Sequence, residues 1–159
     1  MMPVPQFVLD LRARIGHDLL WLTGVNAVTV DEHQRLLLAR RADTGRWALI
    51  SGILEPGEQP APGLAREVRE ETGVVVQPLR ITSVMSGRPV RHTNGDWAQY
   101  LSITFECRPT GGAAQVNDDE SLEVGWFPLD ALPSSLSTQD RQRVTDALAA
   151  EQAARFVSV

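Results

Sequence analysis

Glu58, Arg66, Glu67, Glu70 and Glu71 crowd five ionisable groups into one short stretch of this chain. If residues 62 to 72 form a helix, stepping about 100° per residue from Glu67 at zero puts Glu70 near about 300° and Glu71 near about 40°. Three carboxylates then share one stripe. Leu64, Ala65 and Val68 occupy the adjacent arc, so the helix can bury that side while the glutamates face a cleft. A charged helix face is ordinarily just a solvated one. Here, however, like charges at i, i+3 and i+4 cost about a few tenths of a kcal/mol each and gain the helix nothing. A cation would relieve the repulsion. Carboxylate oxygens select hard ions such as Mg²⁺ or Mn²⁺, which commonly bridge a protein to phosphates, so phosphate chemistry is the expectation.

The elements around this stripe can be read coarsely. Pro60 and Pro62 suit the entry to a helix, Gly63 is its only weak former, and Gly73 supplies a stop. Upstream, ADTGRWALISGILEPGEQP reads as loop with a brief strand near Trp47 to Ile50. Before it, two β-rich runs near 24–30 and 34–40 flank Asp31 to Gln34 and predict an antiparallel hairpin. Downstream, VVVQPLRITSVMSG and QYLSITFECRP predict a second hairpin, with a tight turn at Asn94-Gly95. A loop GGAAQVNDDES leads to a strand LEVGWFPL, and a helix from about 137 to 149 follows with a Ser or Thr cap. At the amino terminus, Phe7, Leu11 and Ile15 predict one apolar face of a short helix ending at Gly16.

Length and composition narrow the class. With 159 residues, 43% of them hydrophobic and 22% charged, the chain predicts one self-sufficient domain over 1–159. That domain would carry a helical extension over about 1–20 and the helix at about 137–149. A net charge of −5 without a basic block argues against binding long nucleic acid. The single Cys107 excludes an intrachain disulfide and a Cys-rich zinc site, and in LSITFEC it reads as a buried thiol. His17, His33 and His92 lack the paired spacing of a zinc site. No run approaches the about 18 apolar residues of a membrane span, and no secretory pattern opens the chain. The expectation is no membrane and a cytoplasmic location.

Gly52, five residues, Glu58, seven residues, and then Arg66-Glu67-Val68-Arg69-Glu70-Glu71-Thr72-Gly73-Val74 resembles the complete Nudix box. Further out, LRARIGHDLL, RRADTGRWAL, the NGD before a strand and DDESLEVGWFPLDALP resemble a bacterial MutT-like group. The resemblance implies an α/β fold, the Nudix α/β/α sandwich around a mixed β-sheet. It also implies hydrolysis, dependent on Mg²⁺ or Mn²⁺, of a diphosphate bond in a nucleoside diphosphate linked to a group X. X would make a nucleoside triphosphate, ADP-ribose, nucleotide sugar or dinucleotide. Glu67, Glu70 and Glu71 match the metal-binding carboxylates, with the Gly52 carbonyl as a further ligand, and Glu58 and Arg66 match the pair that braces loop against helix. The general base would come from the box, as Glu70 or Glu71, or from the later cluster of Asp118, Asp119, Glu120 and Glu123, where Glu120 is favoured. A homodimer is in keeping with the family. The competing reading is a Nudix-fold nucleotide-binding or sensor domain without turnover, which intact carboxylates disfavour.

Other candidates rest on residue type alone. Arg40, Arg41 and Arg46 before the box, and Arg88, Arg91 and His92 before the NGD turn, could meet substrate phosphate, with Arg40, Arg46 and Arg88 the substrate-side choices. They serve equally as solvated charges. Trp47, Trp97 and Tyr100 could stack on a base, but aromatics near strands more often fill core, as Trp126 beside Phe127 should. One departure stands out. Many relatives read Pro-Gly-Gly where this chain has Ile50-Ser51-Gly52, so the local path and the substrate transfer less securely than the metal site.

Overall fold

Strand β1 (Leu20–Thr29) is buried over nearly its whole second half, as a strand covered on both faces must be. In the computed structural model, which describes residues 4–158, β1 lies at the centre of a mixed five-stranded sheet. It runs antiparallel to β4 (Ile50–Ile53) and parallel to β7 (Trp97–Gly112). Strand β7 in turn pairs antiparallel with β5 (Val74–Ser86) and with the short β6 (Val90–Arg91). A second, three-stranded sheet has the order β3 (Trp47–Ala48), β2 (Arg35–Arg41), β8 (Ser121–Pro128). Residues 1–3 and 159, the outermost part of the expected domain and its amino-terminal extension, lie outside the described residues.

Alternation along the strands divides the interior into two layers. Val25, Ala27, Leu37 and Ala39 pack with Leu64 and Val68 of α2 (Pro60–Thr72). The opposite parity, Val28, Leu36 and Leu38, packs with Val144 and Ala147 of α3 (Thr138–Leu148). The result is an α/β/α sandwich around a mixed sheet. Cys107 is buried in the first layer, which pushes its thiol up to about 12. Among the described residues no helix is long and apolar enough to cross a membrane.

Several local expectations are corrected. The runs around Asp31–Gln34 do not form a hairpin ladder: β1 and β2 belong to different sheets and share only a Val30–Leu36 bridge. Asp31 makes the crossing by accepting from the backbone N–H of His33 and Arg35, at 3.0 and 2.9 Å, and from the Arg35 side chain. The same switch recurs between β3 and β4, so Gly52 lies on a strand rather than in a loop. Strands β5 and β7 pair as expected, but the Asn94-Gly95 turn closes the smaller β6–β7 hairpin. Gly95 takes φ 93° there and donates to the His92 carbonyl. Helix α1 (Gln6–Ile15) buries Val8, while Leu11 is 39% exposed. Val8 sits with Leu22 and Ala98, and Phe7 and Tyr100 pack beside them.

The carboxy-terminal segment is tied at two points. Ser137 caps α3 by accepting from Asp140 N–H at 3.0 Å. Farther on, Arg155 exchanges backbone bonds of 2.8 and 2.9 Å with Thr82 and Val84 on the outer edge of β5.

Helix α2 starts at Pro60 and stops at Gly73, whose φ of 71° ends it as a left-handed cap. Gly63 has a different reason for being there. A Cβ at this position would sit 2.6 Å from Leu54 Cδ2 and 2.7 Å from Glu58 Cδ, so the bare backbone lets the preceding loop lie against the helix. Gly63→Ala therefore sets a helix-propensity gain of about 1 kcal/mol against overpacking. Urea unfolding is expected to show a net loss of up to about 2 kcal/mol; a more stable variant would refute the close-approach argument.

Candidate active site

The guanidinium of Arg66 organises one side of the site. It grips Glu58 with two bonds, Nε to Oε1 at 2.8 Å and Nη2 to Oε2 at 3.1 Å. Its remaining donors reach Glu70 Oε2 at 2.8 Å and Glu67 Oε1 at 3.0 Å. Glu58 also accepts from the backbone N–H of Glu55 at 3.2 Å, which closes the loop before α2 onto the helix. These contacts hold Glu58 below the usual carboxylate range and raise Arg66 further above its own. The structure thus brings Glu58 and Arg66, named together from the sequence, into direct contact.

Gly52 faces the same helix from β4. A Cβ there would run into the Glu67 carboxyl group, so the missing side chain is what lets that carboxylate lie against the strand backbone. Glu71 is 8% exposed. Burial, and then repulsion from Glu120, Glu67 and Asp118, push it up to about 9. Glu67 rises to about 7, chiefly by burial, against the pull of Arg66. Glu120 also rises to about 7 through burial and Asp118, with Arg41 pulling it back.

Glu120 reaches this cluster because its loop is pinned at both ends. Asn117 donates its backbone N–H to the Glu71 carbonyl at 3.2 Å, and its side-chain amide to the carbonyls of Arg69 and Glu70 at 3.2 and 3.1 Å. It thereby satisfies the open carbonyls of Glu70 and Glu71 at the end of α2 and adds a second donor to Arg69, which already accepts from Gly73 N–H. At the other side, Ala42 N–H donates to the Glu120 carbonyl at 2.8 Å. Asn117 escaped the sequence reading because its partners are backbone atoms 46 to 48 positions away; the only available signal was its place just before the acidic run. Asp119 and Glu123 lie off this centre, and Glu123 pairs with Arg40.

Gly52, Arg66, Glu67, Glu70, Asp118 and Glu120 lie along a cleft of about 850 Å³. Arg41 lines it, whereas Arg40, Arg46 and Arg88 do not. Strand alternation explains the difference: Arg41 shares the parity of Leu37 and Ala39, which face α2, and Arg40 shares that of Leu36 and Leu38, which face α3. Arg41 is held by Asp43 through bonds of 2.9 and 2.6 Å, which, with Glu71 and Glu120 nearby, raises its pKa. Tyr100 and His92 also line the cleft, 3.2 Å apart at their polar atoms, while Trp47 packs edge-on to Phe127 at 4.6 Å. His17 pairs with Asp96 at 2.7 Å.

As arranged, no three carboxylates among the described residues enclose a common point tightly enough to coordinate an ion, because Arg66 holds oxygens of Glu67 and Glu70. The donor set nonetheless suits a hard divalent cation: it is all oxygen, partly desolvated and self-repelling. A cation would relieve both the repulsion and the desolvation.

Known proteins share this frame. A family model described as NUDIX domain matches residues 21–148. A MutT-like protein of Streptomyces ambofaciens is 38% identical over 125 residues, covering 79% of this chain and 75% of that one. The 8-oxo-dGDP phosphatase NUDT18 of Mus musculus is 32% identical across 86% of this chain, which spans only 39% of the mouse protein's length. Among solved structures, a MutT NUDIX hydrolase from Burkholderia pseudomallei superposes with a TM-score of 0.67 at 24% identity, covering 80% of this chain and 98% of that one. An ADP-ribose pyrophosphatase from Streptococcus suis gives 0.68 at 22% identity, over 86% and 98%. With that match over most of its length, and the acidic box on the helix and strand just described, this chain belongs to the Nudix hydrolase family.

Proposed function

We propose that this protein hydrolyses a diphosphate bond in a nucleoside diphosphate linked to a second group, with Mg²⁺ or Mn²⁺ held by Glu67, Glu70, Glu71 and the Gly52 carbonyl. The reading is carried by one observation: Glu67 and Glu70 of α2 line one cleft with Glu120, next to the buried Glu71 that Glu67 and Glu120 repel, beside a strand glycine with no room for a side chain. It is supported by relatives described as acting on 8-oxo-dGDP, on NAD-capped RNA and, for a solved neighbour, on ADP-ribose. A nucleotide diphosphate is the feature those substrates share.

The bound cation would neutralise phosphate charge and make water a better nucleophile. The chain's own residues do the rest. Glu58 fixes Arg66, and Arg66 fixes where Glu67 and Glu70 start from. Glu120 is the general base: at about 7 its carboxyl lies close to neutral pH, where it can accept a proton from the attacking water. Arg41, rather than Arg40, Arg46 or Arg88, offers the cleft a guanidinium for a phosphate oxygen.

Incubation with nucleoside triphosphates, ADP-ribose, nucleotide sugars and dinucleotides under Mg²⁺ and Mn²⁺ tests the activity. Glu70→Gln is expected to cost at least about 100-fold in turnover. Absence of turnover on every substrate would leave only the sensor reading standing. Arg41→Ala should raise KM by about tenfold while Arg40→Ala leaves it unchanged, since only the former loses a phosphate contact; equal effects would reject the assignment.

The raised carboxyls also fix a pH dependence. Above the ordinary glutamate value of 4.5, the metal-free folded state binds more protons at Glu67, Glu71 and Glu120 than the unfolded chain does. Its extra stability is complete below 4.5 and disappears as pH rises through about 7 and about 9. Thermal melting without metal is therefore expected to weaken between pH 5 and pH 9, and Mg²⁺ to restore more stability at the higher pH. Glu71→Gln, an uncharged isostere, should flatten the metal-free profile and blunt the Mg²⁺ response. A Mg²⁺ effect independent of pH would contradict the ligand set.

A further inference from the structure

Helix α1 precedes residues 21–148, the part shared with the family model, yet Pro5, Gln6, Val8 and Arg12 line the same cleft as the acidic stripe. The helix is fastened to the turn between β6 and β7. Asp96 lies 2.7 Å from His17 Nδ1 and 3.4 Å from Arg12 Nε, and it accepts from the Asn94 amide at 2.9 Å. Backbone contacts reinforce the attachment: Arg12 donates to the carbonyls of Gly16, Asp18 and Trp97, and Trp97 N–H donates to the His17 carbonyl at 3.2 Å. Only 12% of the Arg12 side chain is exposed. Asp96 answers its charge and backbone carbonyls accept from both Nη groups, while the buried Nε faces Asp96 without a hydrogen bond, so its charge is not left free for a phosphate although it lines the cleft.

The two ends of the cleft therefore differ in chemistry. One end carries the carboxylates and Arg66. At the other, Tyr100 packs with the buried Val8, Leu22 and Ala98 to form an apolar wall, and Thr93 and Gln6 bring uncharged hydrogen-bonding groups. Asp96 and Arg12 answer each other there. Such a surface suits a flat ring with a polar edge and leaves no unpaired cation, among the described lining residues at that end, for a second phosphate.

We infer that α1, clamped by Asp96 to the β6–β7 turn, is the wall that selects the substrate by seating its nucleobase against Tyr100 beside the Gln6 end of the helix, at the end of the cleft away from the acidic helix. The inference rests on the reading that the acidic end takes the diphosphate. It makes Asp96 a positioning residue, acting through α1, and makes Gln6 a specificity position at the rim.

The two ends can be probed separately. Ligand-observed NMR with adenosine, guanosine, uridine and cytidine reports on the ring end; titration with inorganic diphosphate and Mg²⁺ reports on the acidic end. Gln6 is exposed, so Gln6→Trp adds bulk to the rim without touching the core, and circular dichroism checks that Asp96→Ala stays folded. Both variants should weaken binding of the preferred nucleoside and raise KM for the nucleotide substrate by about tenfold, with kcat and diphosphate binding within about twofold of wild type. Loss of kcat together with KM, equal loss of diphosphate binding, or no change at all would overturn the inference. If the wild type neither binds diphosphate with Mg²⁺ nor turns over, the hydrolase reading fails instead, while nucleoside binding weakened by Gln6→Trp would still uphold the wall.

Discussion

The three-way grip of Arg66 on Glu58, Glu67 and Glu70 is the contact on which the site depends, because it makes an otherwise self-repelling helix face compatible with folding. Charges three and four positions apart on a helix disfavour one another only mildly in water. Partial burial raises the cost, and a guanidinium with its donors in a fixed fork answers several carboxylates at once. Lysine would supply a similar charge without the two parallel bonds to Glu58. The two glycines belong to the same arrangement: Gly63 lets the Glu58 loop come down onto the helix, and Gly52 lets Glu67 reach the strand. Arginine, loop and strand together hold Glu67 where water is scarce and leave Glu70 at the open face.

Glu71 is the part of the cluster that Arg66 does not answer. It is the most buried of the α2 glutamates, and its acidic neighbours Glu120 and Asp118 come from a loop that reaches α2 through Asn117. A protein selected for stability alone would place an apolar or amide side chain there. A carboxyl that holds its proton up to about 9 fits the metal-ligand role proposed for it, since buried charges persist where something else compensates them.

What could be read in the sequence was local. The pitch of a helix fixes which of Glu67, Glu70 and Glu71 share a face, proline and glycine mark its ends, and the Glu58–Arg66 spacing matches one loop folded onto that helix. The choice between Arg40 and Arg41 needed strand parity relative to two different helices, which appears only once β2 is paired with β3 and β8. The first hairpin failed for a related reason. Runs that are apolar on both faces, like β1 and β2, carry no alternation to say which partner each takes, so adjacency in sequence suggested a pairing that the sheets do not make. In α1, Leu11 offered a good helical period with Phe7 and Ile15, yet Val8 is the residue that Leu22 and Ala98 cover. Contacts distant in sequence, such as Asp96 with His17, leave no periodic trace at all.

The crossing of the chain from one sheet to the other, at Asp31–Gln34 and again between β3 and β4, has a mechanical corollary. Gly52 and the acidic helix are built on the larger sheet, while Arg41 and the strand that follows Glu120 belong to the smaller one. The groups proposed for catalysis thus stand on opposite banks of a seam, one bank on each sheet. Val25, Ile50, Leu37 and Ala39 fill that seam. Their volume is accordingly a gauge of the cleft's width: ordinary core side chains, with no polar atom to offer a substrate, set the spacing across which the proposed diphosphate would fit.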